Sequence, residues 1–331
     1  MRKYAVVFVH GLAKKPPPPK LEELWRWGLE RSSTPPPFDG KNPGIDLDTE
    51  GVPALFNYYA DVFYGEDYET SFDSYYESES NAVVKEENLE RVAGDLAEPT
   101  PANVREKRFL EEFERKMQMA PTPPDPPDID DAPAAQEPAQ LEIASWLPRP
   151  VKEAIIKKAA MEAYYFLFDK AYVRPKDGTR FKVREELRNR LLANLREAAE
   201  KGEKLVLVTH SMGTMVAYDV LRNCPGCPPV DTLFTLGSPL GVAEVQEQLV
   251  AEGKDKVDFP PLLGRWINVY DPLDPVCGAD PKLDDYAPFA GRAVEDVKES
   301  NWGSWRHTIT HYFAGTQFRA LFAQAVGVEL R

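Results

Sequence analysis

Short, uninterrupted runs of apolar residues recur near both ends of the chain. The clearest run, residues 205–209, has the pattern of a strand that is buried on both faces of a parallel sheet. Amphipathic helical stretches separate the runs; in residues 181–202, leucines lie on one face and charged side chains on the other. This alternation predicts an α/β fold, with a mostly parallel central sheet and helices on both faces. The predicted strands are residues 4–9, 53–62, 205–209, 230–236, 265–270 and 292–297.

The middle of the chain departs from this alternation. Residues 66–177 combine an acidic, tyrosine-rich part, helical patterns and a proline-rich stretch, 121–138, with almost no core-forming side chains. Such a composition buries too little apolar surface to order itself, so residues 121–138 are expected to form a flexible segment. We therefore predict a core domain of residues 1–65 and 178–331, interrupted by a helical and proline-rich insertion of residues 66–177.

Within the insertion, residues 146–172 carry an apolar stripe that predicts a long helix. One interpretation is a lid or cap that shapes an acyl pocket or meets a lipid surface. The other is a core helix that covers the sheet.

Composition limits the classes of partner. The chain has 331 residues with 54 acidic and 40 basic side chains, a net charge of −14, which argues against a nucleic-acid partner. No apolar run approaches the ~18 residues of a transmembrane helix. Three cysteines are too few for a disulfide scaffold and fit a reducing compartment, so a cytoplasmic location is expected. The pair Cys224 and Cys227 is interpreted as part of a loop, with a labile disulfide as the alternative.

A serine follows the clearest strand directly, in the sequence Thr209-His210-Ser211-Met212-Gly213, and the next residues can continue as a helix. A serine on a sharp strand-to-helix turn is a nucleophile elbow, in which a strained backbone exposes the hydroxyl at the end of the sheet. Gly213 provides a small residue where strand and helix cross. Thr209 stands where the G-x-S-x-G pattern has its first glycine. Ser211 is therefore the candidate nucleophile.

The first predicted strand runs directly into His10-Gly11-Leu12. A strand that ends in this way can place a backbone N–H at the serine, where it stabilises a negatively charged oxygen. We predict the N–H groups of Leu12 and Met212 as the two donors of this oxyanion hole. His10, Gly11 and His210 are interpreted as residues that support the two motifs.

The order of these segments resembles that of the serine esterases and lipases of the α/β-hydrolase superfamily, over residues 1–65 and 180–331. The resemblance implies Ser211 as nucleophile, an acid from the loop after the strand at 265–270, and a histidine from the last loop. Asp274 is preferred as the acid, with Asp271 orienting the turn. His307 is preferred as the base, with His311 as the alternative.

The resemblance implies hydrolysis of a carboxylic ester, either a small molecule or a lipid, through an acyl-enzyme and without a metal or organic cofactor. An acyltransferase or a thioesterase would use the same three residues. A non-catalytic binding protein on a hydrolase scaffold is the alternative from another class, and the long insertion and Thr209 favour it.

Overall fold

The computed structural model describes residues 2–11, 13–32, 43–68, 96–119, 149–277, 280–301 and 305–330. Its strands are β1 (Arg2–Val9), β2 (Ala54–Asn57), β3 (Ala171–Val173), β4 (Arg180–Lys182), β5 (Gly202–His210), β6 (Val230–Leu236), β7 (Leu263–Tyr270) and β8 (Val294–Lys298). Its α-helices are α1 (Pro18–Glu30), α2 (Ala60–Tyr64), α3 (Val104–Met119), α4 (Arg149–Leu167), α5 (Val183–Lys201), α6 (Met212–Asn223), α7 (Ala243–Leu249), α8 (Ile309–Ala314) and α9 (Thr316–Val326).

Six of the strands form one sheet in the order β2-β1-β5-β6-β7-β8, and every neighbouring pair is parallel. The short strands β3 and β4 form a separate antiparallel pair. With helices packed around the parallel sheet, the predicted α/β architecture is confirmed. β1 and β5 form the centre of the core, since Ala5 to Val9 and Leu205 to His210 are all buried.

The strand order reverses between β1 and β5. From β1 the chain moves outward to β2 on one side, and it returns to build β5 and the later strands on the other side. At such a switch point the loops at the carboxyl ends of the two strands diverge and leave a crevice, which is where open α/β sheets bind their ligands. Gly11 and Ser211 follow these two strands, so both lie at the switch point.

One predicted strand is wrong in its extent. The pattern predicts a strand over residues 53–62, but β2 ends at Asn57 and α2 begins at Ala60. The backbone N–H of Tyr59 donates to Nε2 of His10 at 2.9 Å, and its hydroxyl donates to the His10 carbonyl at 2.7 Å. These bonds take the N–H of Tyr59 away from the sheet ladder, so the strand cannot continue.

The predicted helix at residues 146–172 is shorter in the structure, where α4 ends at Leu167 and β3 follows. All side chains from Ala159 to Leu167 are buried, so this part of α4 is enclosed on every side. A lid helix would keep one exposed face. The burial of α4 therefore fits the core-helix interpretation better than the lid.

The predicted flexible segment at 121–138 lies outside the described residues. The division into a core domain and an insertion stays a prediction. Cys224 and Cys227 follow α6 in a loop, and both are free thiols. In the described ranges, no helix has the combination of length and apolarity that crossing a membrane requires.

Candidate active site

Ser211 lies between the buried strand β5 and helix α6, with φ 56° and ψ −128°. A non-glycine residue with positive φ is strained by about 1–3 kcal/mol, and such strain concentrates at functional sites. The backbone N–H of Ser211 donates to the Leu236 carbonyl at the end of β6, at 3.0 Å, which holds the turn. A Cβ on Gly213 would lie 2.6 Å from the carbonyl oxygen of His10, so only glycine fits where α6 crosses β1.

Thr209 replaces the first glycine of the elbow pattern, and its environment explains how a larger residue fits there. The side chain is fully buried, and its hydroxyl donates to the carbonyl of Phe234 on β6 at 2.9 Å. The buried hydroxyl of Thr209 is therefore hydrogen-bonded within the sheet.

The loop after β1 passes directly against Ser211. A Cβ on Gly11 would lie 2.5 Å from Cβ and 3.2 Å from Oγ of Ser211, so a side chain at this position would displace the serine. The next residue, Leu12, which is the predicted oxyanion donor of this loop, lies outside the described residues. The second predicted donor, Met212, is buried at the first position of α6.

His10 supports this loop. Its Nδ1 donates to the carbonyl of Gly11 at 2.7 Å and its Nε2 accepts from the N–H of Tyr59 at 2.9 Å, which fixes one neutral tautomer. Burial, with a smaller contribution from the charge of Lys15, lowers the pKa of His10 from 6.5 to about 3. His10 therefore stays neutral at physiological pH.

The structure brings Asp274 and His307 together. Nδ1 of His307 lies 2.8 Å from Oδ2 and 3.0 Å from Oδ1 of the Asp274 carboxyl group, which is fully buried. The Asp274 carboxylate also accepts from the hydroxyl of Tyr312 at 2.7 Å and from the backbone N–H of Val276 at 2.8 Å. A carboxylate in this position accepts from Nδ1–H of the imidazole and holds the ring in that tautomer and orientation.

Asp271 makes a different set of contacts. Its Oδ1 accepts from the backbone N–H of Leu273 at 2.8 Å, and its Oδ2 accepts from that of Asn301 at 2.7 Å. The guanidinium of Arg306, the residue before His307, lies 3.8 Å from Oδ2. Asp271 thus joins the turn after β7 to the loop that carries His307. His311, the alternative base, is fully buried within α8, and it is His307 that reaches Asp274.

The ring of His307 also stacks on His210, the residue before Ser211, with 4.4 Å between the ring centroids and 27° between the planes. Burial, followed by the charge of His307, lowers the pKa of His210 well below its usual value. Since Nδ1 of His307 is engaged with Asp274, proton exchange with a substrate or a nucleophile falls to Nε2. The buried Ser211 hydroxyl makes no hydrogen bond to any described residue.

Gly237, directly after β6, allows Asp274 and His307 to approach each other. Its φ is 54°, and a Cβ there would lie 2.7 Å from Oδ2 of Asp274 and 2.9 Å from Nδ1 of His307. Neither Gly237 nor Tyr312 is among the residues that the sequence predicts for the site. A glycine directly after a predicted strand was the available signal for Gly237; the sequence carries none for Tyr312.

The site is closed in this structure, with Ser211 1% exposed and His307 5% exposed. A separate surface cavity of about 780 Å³ lies beyond β2 and is lined by Tyr58, Arg174 and Phe181 among others, but not by Ser211 or His307. Among the described residues, no group of three or more histidine, cysteine or acidic side chains is arranged to hold a metal ion.

Comparison with models of known protein families found no match, and comparison with curated protein sequences found none either.

Proposed function

We propose that this protein is a serine hydrolase of the α/β-hydrolase type, which cleaves carboxylic esters through an acyl-enzyme intermediate. The observation that carries the proposal is the contact between Asp274 and His307, 2.8 Å long, on an imidazole that stacks against the residue preceding Ser211. The strained backbone of Ser211 and its place at the switch point of the sheet support the same assignment.

In the proposed mechanism, Nε2 of His307 accepts the hydroxyl proton of Ser211 as Oγ attacks the ester carbonyl carbon. Asp274 keeps the proton on Nδ1 of His307 and stabilises the imidazolium that forms. The backbone N–H groups of Met212 and Leu12 stabilise the negatively charged carbonyl oxygen. The imidazolium then returns its proton to the alkoxide of the alcohol as the ester C–O bond breaks.

Deacylation uses the same groups in the opposite order. A water molecule gives a proton to His307 and attacks the acyl carbon, and Ser211 recovers its proton as the carboxylic acid leaves. None of these steps calls for a metal or an organic cofactor. The substrate is a small ester or a lipid, and an alcohol or a thiol in place of water would turn the same chemistry into acyl transfer.

The proposal is tested by hydrolysis of p-nitrophenyl esters from acetate to palmitate, comparing the native chain with Ser211→Ala and His307→Gln. Each variant should lower kcat by at least about 10⁴-fold while the fold is retained. Ser238→Ala is the matched control, because Ser238 is also a buried serine just past a strand, and its hydroxyl lies 2.9 Å from that of Thr214. Product analysis with added alcohol or thiol separates hydrolysis from acyl transfer.

Equal rates for the native chain and Ser211→Ala would contradict the proposal. So would a correctly folded native chain that cleaves none of the esters, and the alternative of a binding protein would then be preferred.

A further inference from the structure

Glu162 is a fully enclosed carboxyl group in the middle of α4, only 1% exposed. Acidic side chains are rarely buried to this extent unless specific partners hold them. Here a single oxygen, Oε1, accepts from the backbone N–H of Ala13 at 2.9 Å and from the hydroxyl of Tyr64 at 2.7 Å. Glu162 therefore connects α4 to the loop that follows β1.

Ala13, which donates this hydrogen bond, has an uncommon backbone conformation. It is a buried non-glycine residue with φ 70°, a region that costs an L-residue about 1–2 kcal/mol. The backbone is kept in this conformation by the structure around it, and the hydrogen bond to Glu162 is part of that structure. If an apolar residue replaced Glu162, the buried N–H of Ala13 would lose its acceptor. We then expect the loop to relax from this conformation.

The loop that Glu162 holds is the one packed against Ser211. Gly11 lies two residues before Ala13, and its backbone approaches Ser211 so closely that no side chain fits between them. On this flank the carbonyl of Gly11 accepts from Nδ1 of His10 at 2.7 Å and from the hydroxyl of Tyr59 at 3.2 Å. Gly11 is thus held by His10 and Tyr59, which follow β1 and β2, and Ala13 is held by Glu162 on α4.

We infer that Glu162 is a positioning residue for the proposed reaction: its carboxyl group fixes Ala13 and, through Ala13, the position of Gly11 against Ser211. This inference rests on the proposed function and deepens it, because the loop carries one of the two predicted oxyanion donors. By this inference, α4 both covers the sheet and positions the loop after β1. In this way α4, from the middle region of the chain, contacts the loop that lies against Ser211.

Two substitutions of Glu162 separate a positioning role from general stability. Glu162→Leu removes the acceptor and should lower kcat by about 10²-fold with little change in KM, since a misplacement near 1 Å has this effect. Glu162→Gln keeps an amide oxygen that can accept both hydrogen bonds, and it should restore most of the activity.

Glu106 on α3 provides a matched control. It is a buried carboxylate that also accepts a backbone N–H, from Ala102 at 2.8 Å, and a tyrosine hydroxyl, from Tyr164 on α4 at 2.6 Å. Unlike Glu162, it further accepts from the Lys170 ammonium at 2.8 Å and from the Asn103 side-chain amide at 3.0 Å. Glu106→Leu disturbs the packing of α4 in a similar way but does not touch the loop after β1. It should leave kcat within about threefold of the native value, although its stability falls.

The ratio of the hydrolysis rates of oxygen esters and of the corresponding thionoesters does not change when a variant is merely less stable. Sulfur accepts hydrogen bonds more weakly than oxygen, so an enzyme with well-placed oxyanion donors cleaves the oxygen ester much faster. Glu162→Leu should lower this preference markedly. A variant that is merely less folded would lose both rates in proportion and keep the preference.

If Glu162→Leu does not fold, Tyr64→Phe is used in its place, because it removes one of the two hydrogen bonds on Oε1. Tyr64→Phe should lower kcat and the preference for the oxygen ester as well, but by a smaller factor. The inference is overturned if the native chain cleaves esters and the variants keep both the native kcat and the native preference. An equal loss in Glu106→Leu would also overturn it. A native chain without ester hydrolysis overturns the proposed function itself, and the role of Glu162 with it.

Discussion

The hydroxyl of Tyr312 donates a hydrogen bond to Oδ2 of Asp274 across 2.7 Å, and the same oxygen faces Nδ1 of His307 at 2.8 Å. The Tyr312 oxygen also accepts from the backbone N–H of Asp271 at 3.2 Å. Burial, with the charge of Asp274 next, raises the pKa of Tyr312 well above its usual value, so the phenol remains a donor. Tyr312 therefore fixes the carboxylate that contacts His307.

Tyr312→Phe should lower kcat for ester hydrolysis about tenfold, because a hydrogen bond to a charged group contributes about 1.5 kcal/mol and a tenfold rate corresponds to about 1.4 kcal/mol. Tyr286→Phe is the control, since the Tyr286 hydroxyl is also buried but donates to the carbonyl of Leu240 at 3.0 Å. Steady-state kinetics of both variants decide the matter. Equal losses of kcat in Tyr312→Phe and Tyr286→Phe would mean that Tyr312 contributes only to stability.

Substitutions of the two aspartates in the loop after β7 should have different effects. Asp274→Asn should lower kcat by about 10⁴-fold, because an amide at this position favours the wrong tautomer of His307. Asp271→Asn should retain most of the activity and mainly lower the free energy of unfolding, because Asp271 binds backbone N–H groups of two loops. Kinetics combined with urea unfolding measure both effects. The opposite pattern would make Asp271 the acid.

Gly237→Ala should abolish most of the activity, by about 10²-fold or more, because its Cβ would lie 2.7 Å from Asp274 and 2.9 Å from His307 and force the pair apart. Gly178→Ala is matched in backbone conformation, with φ 72°, but its Cβ would meet open space. Both variants should lose about 1 kcal/mol of stability from the positive φ. Native kinetics in both variants would show that the close approach at Gly237 is not needed for activity.

Glu162 should give the protein a pH-dependent stability that Glu162→Gln lacks. Burial, opposed by the hydrogen bonds from Tyr64 and Ala13 and by the charges of Lys15 and Lys158, raises the pKa of Glu162 from 4.5 to about 7. The folded state therefore binds this proton more tightly than the unfolded state, and the resulting stabilisation is lost as the pH rises from 4.5 to about 7.

Relative to Glu162→Gln, the free energy of unfolding of the native chain should fall by about 3 kcal/mol across this range, at about 1.4 kcal/mol for each tenfold change in proton affinity. Urea unfolding of both proteins at a series of pH values measures the difference. A difference that does not change with pH would contradict the raised pKa.

The parts of the fold that depend on local pattern could be predicted from the sequence. Residues 205–209 indicate a strand because a strand buried on both faces must be apolar throughout. The elbow at Ser211 was recognisable because a small residue, Gly213, is required where α6 crosses β1. The end of β2 was not predictable, because Tyr59 leaves the ladder only through its contacts with His10, 49 positions away.

The surroundings of the candidate site depend on contacts between distant positions, which no local pattern records. Tyr312 meets Asp274 across 38 positions, and Glu162 meets Ala13 across 149. Glu162 is one charged residue in a helix with an otherwise apolar stripe, so the sequence alone suggests a surface position for it. Its contact with Ala13, in the fully buried part of α4 from Ala159 to Leu167, shows that this carboxyl group faces the loop after β1.

A fluorophosphonate probe reacts with serine hydroxyls that a neighbouring base has activated, so covalent labelling examines Ser211 without knowledge of the substrate. The native chain should be labelled once, with the adduct mapped by mass spectrometry to the peptide that contains Ser211. Ser211→Ala should not be labelled, and His307→Gln and Asp274→Asn should react far more slowly. Undiminished labelling of folded Ser211→Ala, or no labelling of the folded native chain, would contradict an activated serine at this site.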